Sequence, residues 1–328
     1  MASFQIINMG DGLGDCFLIH LKNDFNEECL ILVDGRTGAE SNGFFESLKK
    51  RINTYEKIDY MIITHIDNDH VGGIIRLLQL PEYDPVRRKL EQTIVIYNYV
   101  TRSVINYRHA EILEQALSNH KVVHTSKKDY IPYSCQILQL LSFEKRKTFD
   151  VDTKNKSCAY LTLFHPDKLG IDEVYQDYEV KRRNGERKPK KGLVNRQSIA
   201  FLLEFAGKRV LFGGDGYMDQ LVEKIEQLKN IDTAVIDLIK IPHHGAEKNN
   251  KGLADFAKKH KCTRFIVTGE NTWGKMNPEA HPSKNVLNDL YDKLHLLEGK
   301  ILTIYSSINM MEYEYGNEIF CNKEEIDV

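Results

Sequence analysis

Short apolar segments typical of β-strands alternate with amphipathic helical segments along the whole chain of 328 residues. The run 60–64 is almost entirely apolar, and Phe45, Leu48 and Ile52 repeat at helical spacing just before it. This alternation argues against all-helical and all-β architectures and favours an α/β fold. The length suits one large α/β unit, so we predict a single domain over residues 1–328.

The part of the chain that follows the pattern least clearly lies at about 121–194, where we predict a variable insertion. It ends in a segment from Lys181 to Lys191 that carries seven basic residues and one acidic residue. Such a cluster could bind a polyanion such as nucleic acid, and that binding would weaken with salt. A solvated loop is the alternative, because no aromatic residue is interleaved for base stacking.

The overall charge limits the kinds of partner. The formal net charge is −2, which excludes a surface built throughout to bind nucleic acid. No apolar run approaches the roughly 20 residues that cross a bilayer, so no membrane insertion is expected. The first ten residues lack the pattern of an export signal. We therefore predict a cytoplasmic protein, and a protein partner stays open.

The densest chemical signal follows the apolar strand 60–64 directly. Here His65, Asp67, Asp69 and His70 fall within six residues, before a helix that we predict for 73–80. Imidazole nitrogens and carboxylate oxygens are the usual ligands of divalent metal ions. Helix capping would explain one of the aspartates, but not two histidines and two aspartates together. The pattern predicts a metal site.

Two later apolar strands also end in residues that bind metals. Asp215 follows two glycines at the end of one strand, and His243 and His244 follow Pro242 at the end of another. Either segment alone could be an ordinary turn. Three strand ends that supply histidine and aspartate in one α/β chain favour a shared site with more than one metal ion.

These motifs resemble those of the metallo-β-lactamase superfamily, and within it the branch that resembles the hydrolase domain of the DNA-uptake protein ComEC. The resemblance implies a four-layered αββα sandwich, with the insertion between the H-x-D-x-D-H motif and the element at Asn195. It spans nearly the whole chain. The motifs that carry it are the segment from Ile7 to Cys16, Asp34-Gly35, the metal motif, Asn195 with Ser198, Gly214-Asp215, the segment from Lys240 to Gly245, Gly269 with Asn271, and His281-Pro282.

The resemblance also implies a ligand set for two metal ions bridged by Asp215. The other ligands would be His65 and Asp67 for the first ion, with Asn195 nearby, and Asp69, His70 and one of the paired histidines for the second. His244 is favoured, since the superfamily's ligand stands second after the proline, and His243 is the alternative.

Two departures from the wider superfamily bear on the choice of metal. Asp67 replaces the second histidine of the usual motif, and a further histidine expected near Asn195 is missing. The first metal position is therefore richer in oxygen than usual. Oxygen ligands suit manganese and nitrogen ligands suit zinc, so either Mn²⁺ or Zn²⁺ is expected.

The remaining candidates surround this ligand set. By the resemblance, Asp34 would orient a metal ligand, and Ser198 and Asn271 would contact the substrate or support the ligands, with a purely structural role as the alternative. His281 would contact the substrate or protonate the leaving group, unless it is a surface loop residue. The candidate catalytic residues are Asp69, Asp215 and His281.

Two metal ions would lower the pKa of a shared water, and the resulting hydroxide would attack phosphorus or a carbonyl carbon. Asp67, Asp69 and Asp215 only partly neutralise four metal charges, which favours an anionic substrate. We therefore predict a metallo-hydrolase that acts as a phosphodiesterase or nuclease. The alternatives are a non-catalytic module that senses a ligand or partner, and an enzyme active only within a multiprotein system such as phage defence.

Overall fold

Two β-sheets pack face to face, with helices on their outer surfaces. The computed structural model describes residues 2–9, 14–37, 42–97, 107–118, 120–124, 136–141, 158–166, 168–186, 190, 192–228, 231, 234–269, 281–306 and 319–328.

The first sheet has seven strands in the order β15-β1-β2-β3-β4-β5-β6, with strands numbered in chain order. Its strands are β1 Ser3–Asn8, β2 Phe17–Lys22, β3 Glu28–Val33, β4 Tyr60–Ile63, β5 Ile94–Tyr97, β6 Lys121–His124 and β15 Glu325–Asp327. Strands β1, β2, β3 and β15 pair antiparallel, whereas β3 to β6 run parallel.

The second sheet has eight strands in the order β14-β13-β12-β11-β10-β9-β8-β7. Its strands are β7 Gln136–Leu141, β8 Ala159–His165, β9 Ala200–Phe205, β10 Lys208–Phe212, β11 Leu238–Lys240, β12 Arg264–Val267, β13 Thr303–Ser306 and β14 Phe320–Asn322. Strands β10 to β14 run parallel, so their carboxyl ends lie at one edge of the sheet.

Helices cover the outer face of each sheet. They are α1 Asn42–Asn53, α2 Asn68–Leu78, α3 Pro85–Lys89, α4 Tyr107–Leu117, α5 Lys168–Arg183, α6 Met218–Glu226, α7 Leu253–Lys259 and α8 Lys284–Leu294. Apolar residues of α1, α2 and α4 share a core with the first sheet, and those of α6, α7 and α8 share a core with the second. None of the described helices is long and apolar enough to cross a membrane.

A third apolar core fills the space between the sheets. Phe17 of the first sheet lies edge-on to Phe212 of the second, with ring centroids 5.6 Å apart. Phe201 stacks on the same ring at 4.8 Å. The central strands are nearly continuous apolar runs, rather than alternating ones, because each is buried on both faces, by helices outside and by the other sheet inside. The predicted α/β class and the αββα layering are confirmed.

The strands within 121–194 belong to the two sheets. This segment contributes β6 to the first sheet and β7 and β8 to the second, followed by α5. Side chains of Ile171 and Val174 from α5 join the core beside the first sheet. No helix was predicted over 168–183 from the sequence. The insertion itself stays a prediction.

Helix α2 begins at Asn68, so the predicted start at residue 73 was wrong. Gly72 and Gly73 suggest a helix boundary because glycine disfavours helix interiors. Gly73 is needed for packing instead, since a Cβ there would lie 1.9 Å from the carbonyl oxygen of Gly35. The early start places Asp69 and His70 in the first helical turn, where the helix fixes their directions.

Candidate metal centre

The candidate ligands come together at the edge where both sheets end. His65 follows β4 of the first sheet, Asp215 follows β10 of the second, and His244 follows β11. These three residues are only 1%, 2% and 2% exposed. The structure therefore places the three predicted strand ends around one buried space.

The carboxylate of Asp215 lies at the middle of this space. Its Oδ2 is 3.5 Å from Nε2 of His65 and 3.6 Å from Nε2 of His243. Its Oδ1 is 3.4 Å from Nε2 of His70. The two oxygens of one carboxylate thus face different imidazoles, which is the arrangement that a bridging carboxylate requires.

Asp69 and Asp67 lie on either side of Asp215. Oδ2 of Asp69 is 3.5 Å from Nε2 of His244 and 3.9 Å from Nε2 of His70. Oδ2 of Asp67 is 3.9 Å from Nε2 of His65. The structure brings all the predicted metal ligands together, and their assignment as ligands stays a prediction.

The donor atoms fit a divalent metal ion. Nε2 of His65, His70 and His244 and Oδ1 of Asp215 are buried and make no hydrogen bond within the described residues. Buried polar atoms nearly always have a partner, so four such atoms facing one space indicate a ligand that they share. His65, His70 and Asp215 offer atoms within 4.8 Å of one another, as do Asp69, His70 and His244. This separation suits imidazole and carboxylate ligands of zinc or manganese.

The other ring nitrogen of His70 is held by Asp34. Its Nδ1 lies 2.8 Å from Oδ2 of Asp34, which is fully buried. The Asp34 carboxylate also accepts hydrogen bonds from the backbone N–H and the hydroxyl of Thr64, at 2.8 and 2.6 Å. A carboxylate in this position fixes the ring and leaves Nε2 directed at the metal space. Asp34 thus contacts a candidate ligand, and its role in orienting a metal ligand stays a prediction.

His244 is held by a buried network that the sequence analysis missed. Its Nδ1 lies 2.8 Å from Oγ1 of Thr268, which in turn donates to Oδ1 of Asp15 at 2.6 Å. Oδ2 of Asp15 forms an ion pair with Nζ of Lys240. Burial would raise the pKa of the Asp15 carboxyl, but the charges of Lys240 and His244 lower the pKa below its usual range. Asp15 is therefore a buried anion.

The two adjacent histidines point to different neighbours because the backbone turns sharply. His243 and His244 both have left-handed φ values, 46° and 52°. Non-glycine residues in this region cost about 1–3 kcal/mol each and cluster at functional sites. The turn directs His244 to Asp69 and His243 to Asp215, and Oδ1 of Asn249 lies 2.9 Å from Nδ1 of His243.

Ser198 supports the central carboxylate. Its Oγ accepts a hydrogen bond from the backbone N–H of Asp215 at 2.9 Å and lies 3.4 Å from Nδ1 of His65. Gly214, with φ 51°, allows this approach, because a Cβ there would lie 2.3 Å from the Ser198 Oγ. Ser198 thus positions two of the candidate ligands.

The other sequence candidates lie around His243. The side-chain Nδ2 of Asn195 is 3.4 Å from Nδ1 of His243. The ring of His281 lies 5.3 Å from the His243 ring, centroid to centroid. Both residues thus lie beside His243, whose Nε2 faces Oδ2 of Asp215. Asn271 lies outside the described residues.

The ionisable groups of the cluster shift one another's pKa values strongly. Burial and the positive charge of His70 lower the pKa of His65 to about 3, so its imidazole is neutral and can donate a lone pair. Partial burial and the charges of Asp69 and Asp215 raise the pKa of Asp67 to about 7. A divalent cation would relieve this crowding of carboxylates.

The start of the basic segment is the last turn of α5. Lys181 pairs with Glu186, and Arg182 and Arg183 lie 3.2 and 3.7 Å from Glu179. These three cations are partly neutralised by the neighbouring acids. Residues 187–189 and 191 lie outside the described residues.

A two-sheet sandwich with histidine and aspartate gathered at one sheet edge is the architecture of a metal-binding α/β hydrolase. The family model of the metallo-β-lactamase superfamily matches residues 9–216. The chain belongs to this superfamily.

Several solved structures are similar to this chain at low sequence identity. The metallo-β-lactamase fold protein YhfI from Bacillus subtilis is 12% identical with a TM-score of 0.50, covering 99% of this chain and all of that one. The long form RNase Z from yeast is 12% identical with a TM-score of 0.45, covering 99% of this chain and 41% of that one. The diiron β-hydroxylase CmlA from Streptomyces venezuelae is 14% identical with a TM-score of 0.42, covering 98% and 46%.

The chain thus spans less than half the length of the last two proteins. No curated protein matches the sequence. The likeness to YhfI supports the fold alone, and the reaction has to be argued from the site.

Proposed function

We propose that this chain is a metal-dependent phosphodiesterase, of the ComEC-like branch, that acts as one domain with two divalent ions at the edge of its two sheets. The observation that carries the proposal is the position of Asp215. Its two carboxylate oxygens face His65 and His70, at 3.5 and 3.4 Å, on opposite sides of one buried space.

Two groups of residues would hold the ions. His65, Asp67 and His243 lie around Oδ2 of Asp215 and would hold the first. The second would be held by the group around Oδ1, which comprises Asp69, His70 and His244. When bound, two Mn²⁺ or Zn²⁺ ions supply a water of lowered pKa and stabilise negative charge that develops on the substrate.

The charge of the site favours a phosphodiester over an amide. Asp67, Asp69 and Asp215 carry three negative charges against the four of two divalent ions, so a positive charge remains at the centre. Asp15 does not change this balance, because it pairs with Lys240. An anionic phosphodiester is attracted to such a centre, and a neutral amide is not.

The chain's own side chains orient the site and move the proton. Asp34, Thr268 and Ser198 hold the imidazoles and the central carboxylate in fixed directions, so little reorganisation is needed during reaction. His281 lies beside His243 at the rim of the cluster, where its imidazole can donate a proton to the leaving oxygen.

The test is a panel of metals and phosphodiesters on the purified protein. We expect hydrolysis of bis(p-nitrophenyl) phosphate and of a short oligonucleotide with Mn²⁺ or Zn²⁺, and close to two ions per chain by elemental analysis. Asp215→Asn should reduce kcat by several orders of magnitude, because one carboxylate contacts both ligand groups. His281→Ala should lower kcat roughly 10²–10⁴-fold on the oligonucleotide and less on the nitrophenyl ester, whose leaving group needs no proton.

A matched control is Asp24→Asn, which removes an exposed carboxylate beyond the far end of β2. It should keep both the metal content and the activity of the wild type. Wild-type protein that holds two ions but cleaves no phosphodiester would refute the proposal and leave the two alternatives, the ligand-sensing module and the enzyme active only within a multiprotein system.

A further inference from the structure

A cavity of about 300 Å³ lies beside the metal centre. Its wall includes the cations Lys190, Arg196 and Lys248, the aromatic ring of Tyr217 and one carboxylate, Asp219. The metal ligands themselves are not part of this wall, so the cavity is a separate compartment.

The chain connects the cavity directly to the candidate site. Tyr217 follows Asp215 by two residues, and Arg196 follows Asn195. Lys248 precedes Asn249, whose side-chain amide donates to the backbone carbonyl of Asp215 at 2.9 Å. These links place the cavity close to the metal centre.

The wall of the cavity is positively charged. Lys190 and Lys248 are exposed, and no ion pair within the described residues occupies either side chain. Arg196 pairs with Glu173, but a guanidinium has five N–H donors and one carboxylate leaves several of them for a ligand. Three cations against one wall carboxylate suit an anionic group.

Tyr217 gives the cavity one rigid surface. Its hydroxyl donates to the backbone carbonyl of Gly192 at 3.1 Å, and its ring is half-buried. Nζ of Lys248 lies 5.6 Å from the ring centroid. An aromatic ring next to cations is the combination that binds a sugar or base together with its phosphate.

We propose that this cavity binds the phosphate next to the one that is cleaved, together with the nucleoside that joins them. The substrate class is then a chain of nucleotides, rather than an isolated small diester. Lys190 belongs to the basic segment and lines this cavity. This inference rests on the proposed function and narrows it to a nucleic acid substrate.

The kinetic test compares two thymidine dinucleotides. TpT carries only the scissile phosphate, whereas pTpTp carries a further phosphate at each end, so the comparison holds for either direction of binding. The wild type loaded with Mn²⁺ or Zn²⁺ should prefer pTpTp by about 10-fold or more in kcat/KM, as expected for hydrogen bonds to charged groups. In the double variant Lys190→Ala/Lys248→Ala the ratio should fall to about 1.

The matched control is Lys300→Ala, which removes an exposed lysine just before β13, at the amino ends of the parallel strands. It should keep the wild-type ratio. A wild-type ratio near 1, or a ratio that survives in the double variant, would overturn the inference.

A binding measurement separates this inference from the proposed function. Calorimetry with metal-loaded wild type would use TpT and pTpTp whose central linkage is a non-hydrolysable methylphosphonate. A preference of about 10-fold in affinity for the analogue of pTpTp, lost in the double variant, supports the cavity as a phosphate site. If this preference is found but neither dinucleotide is hydrolysed, the proposed activity fails and the inference about the cavity stands. Equal affinity for both analogues would reject the cavity as a phosphate site whatever the activity.

Discussion

The buried ion pair of Asp15 and Lys240 allows a quantitative prediction about stability. Lys240 is 1% exposed and Asp15 is 2% exposed, and they join the loop before β2 to strand β11 of the other sheet. Lys240→Met removes the ammonium but keeps an unbranched apolar side chain. The Asp15 carboxylate then stays in the interior without its main compensating charge.

Removing one partner of such a pair costs about 3–5 kcal/mol, because a buried charge is left uncompensated. Replacing both partners by neutral residues is often close to neutral. We therefore expect Lys240→Met to lose about 3–5 kcal/mol of unfolding free energy and Asp15→Asn/Lys240→Met to recover most of that loss. In the double variant, the side-chain amide oxygen that replaces the Asp15 carboxylate would still accept the hydrogen bond from Thr268.

The assay is urea unfolding followed by circular dichroism, in a chelator so that bound metal adds nothing to the free energy. The control is Lys208→Met, which breaks the half-exposed pair with Asp237, at 3.0 Å, and should cost no more than about 1 kcal/mol. A loss under about 1 kcal/mol for Lys240→Met, or a double variant as unstable as the single one, would refute the argument.

Three further substitutions test the site and its support. Asp34→Asn should lower the metal affinity by about 10–100-fold in a competition titration, because it weakens the hydrogen bond to Nδ1 of His70. Unchanged affinity would contradict the role of Asp34. Asp67→His should raise the ratio of zinc to manganese affinity, since it restores a nitrogen ligand, and equal ratios before and after would count against the oxygen-rich explanation. Gly73→Ala should lower the free energy of unfolding in urea by at least about 1–3 kcal/mol, because its Cβ would lie 1.9 Å from the Gly35 carbonyl oxygen. A stability equal to that of the wild type would show that α2 can shift freely.

The sequence was informative about the fold wherever a strand ended in a chemically specific residue. His65 and Asp215 each follow a short apolar run, and in parallel strands such ends meet at one edge, so their meeting could be predicted. The αββα layering followed from the resemblance in the motifs. The start of α2 could not be predicted from hydrophobic periodicity. Gly73 resembles a helix boundary in the sequence, and only the structure shows that a glycine is needed there for the close approach of Gly35.

The supporting residues were harder to predict because their partners are remote in sequence. Asp15 and Lys240 are 225 positions apart, and a lysine in a short apolar strand is ordinarily expected to reach solvent. Thr268 has no distinguishing pattern of its own. The basic segment shows the opposite case, since its pattern was plain but only the structure brings Lys190 next to Tyr217.

The division of the candidate ligands between the two sheets has a consequence for how the metal is acquired. His65 and His70 are synthesised about 145–180 residues before Asp215, His243 and His244, and the site exists only when both sheets have packed. A nascent chain that has formed only the first sheet has only part of the candidate ligand set, so we expect tight loading to follow folding. The geometry of the ligand set in the folded protein then selects the metal, rather than the order in which the growing chain encounters ions. The test compares folded protein supplied with equal Mn²⁺ and Zn²⁺ with protein refolded from urea in the presence of both ions. Loading after folding requires the same ratio of bound Mn²⁺ to Zn²⁺ in both samples. A different ratio in the refolded protein would show that refolding traps ions early.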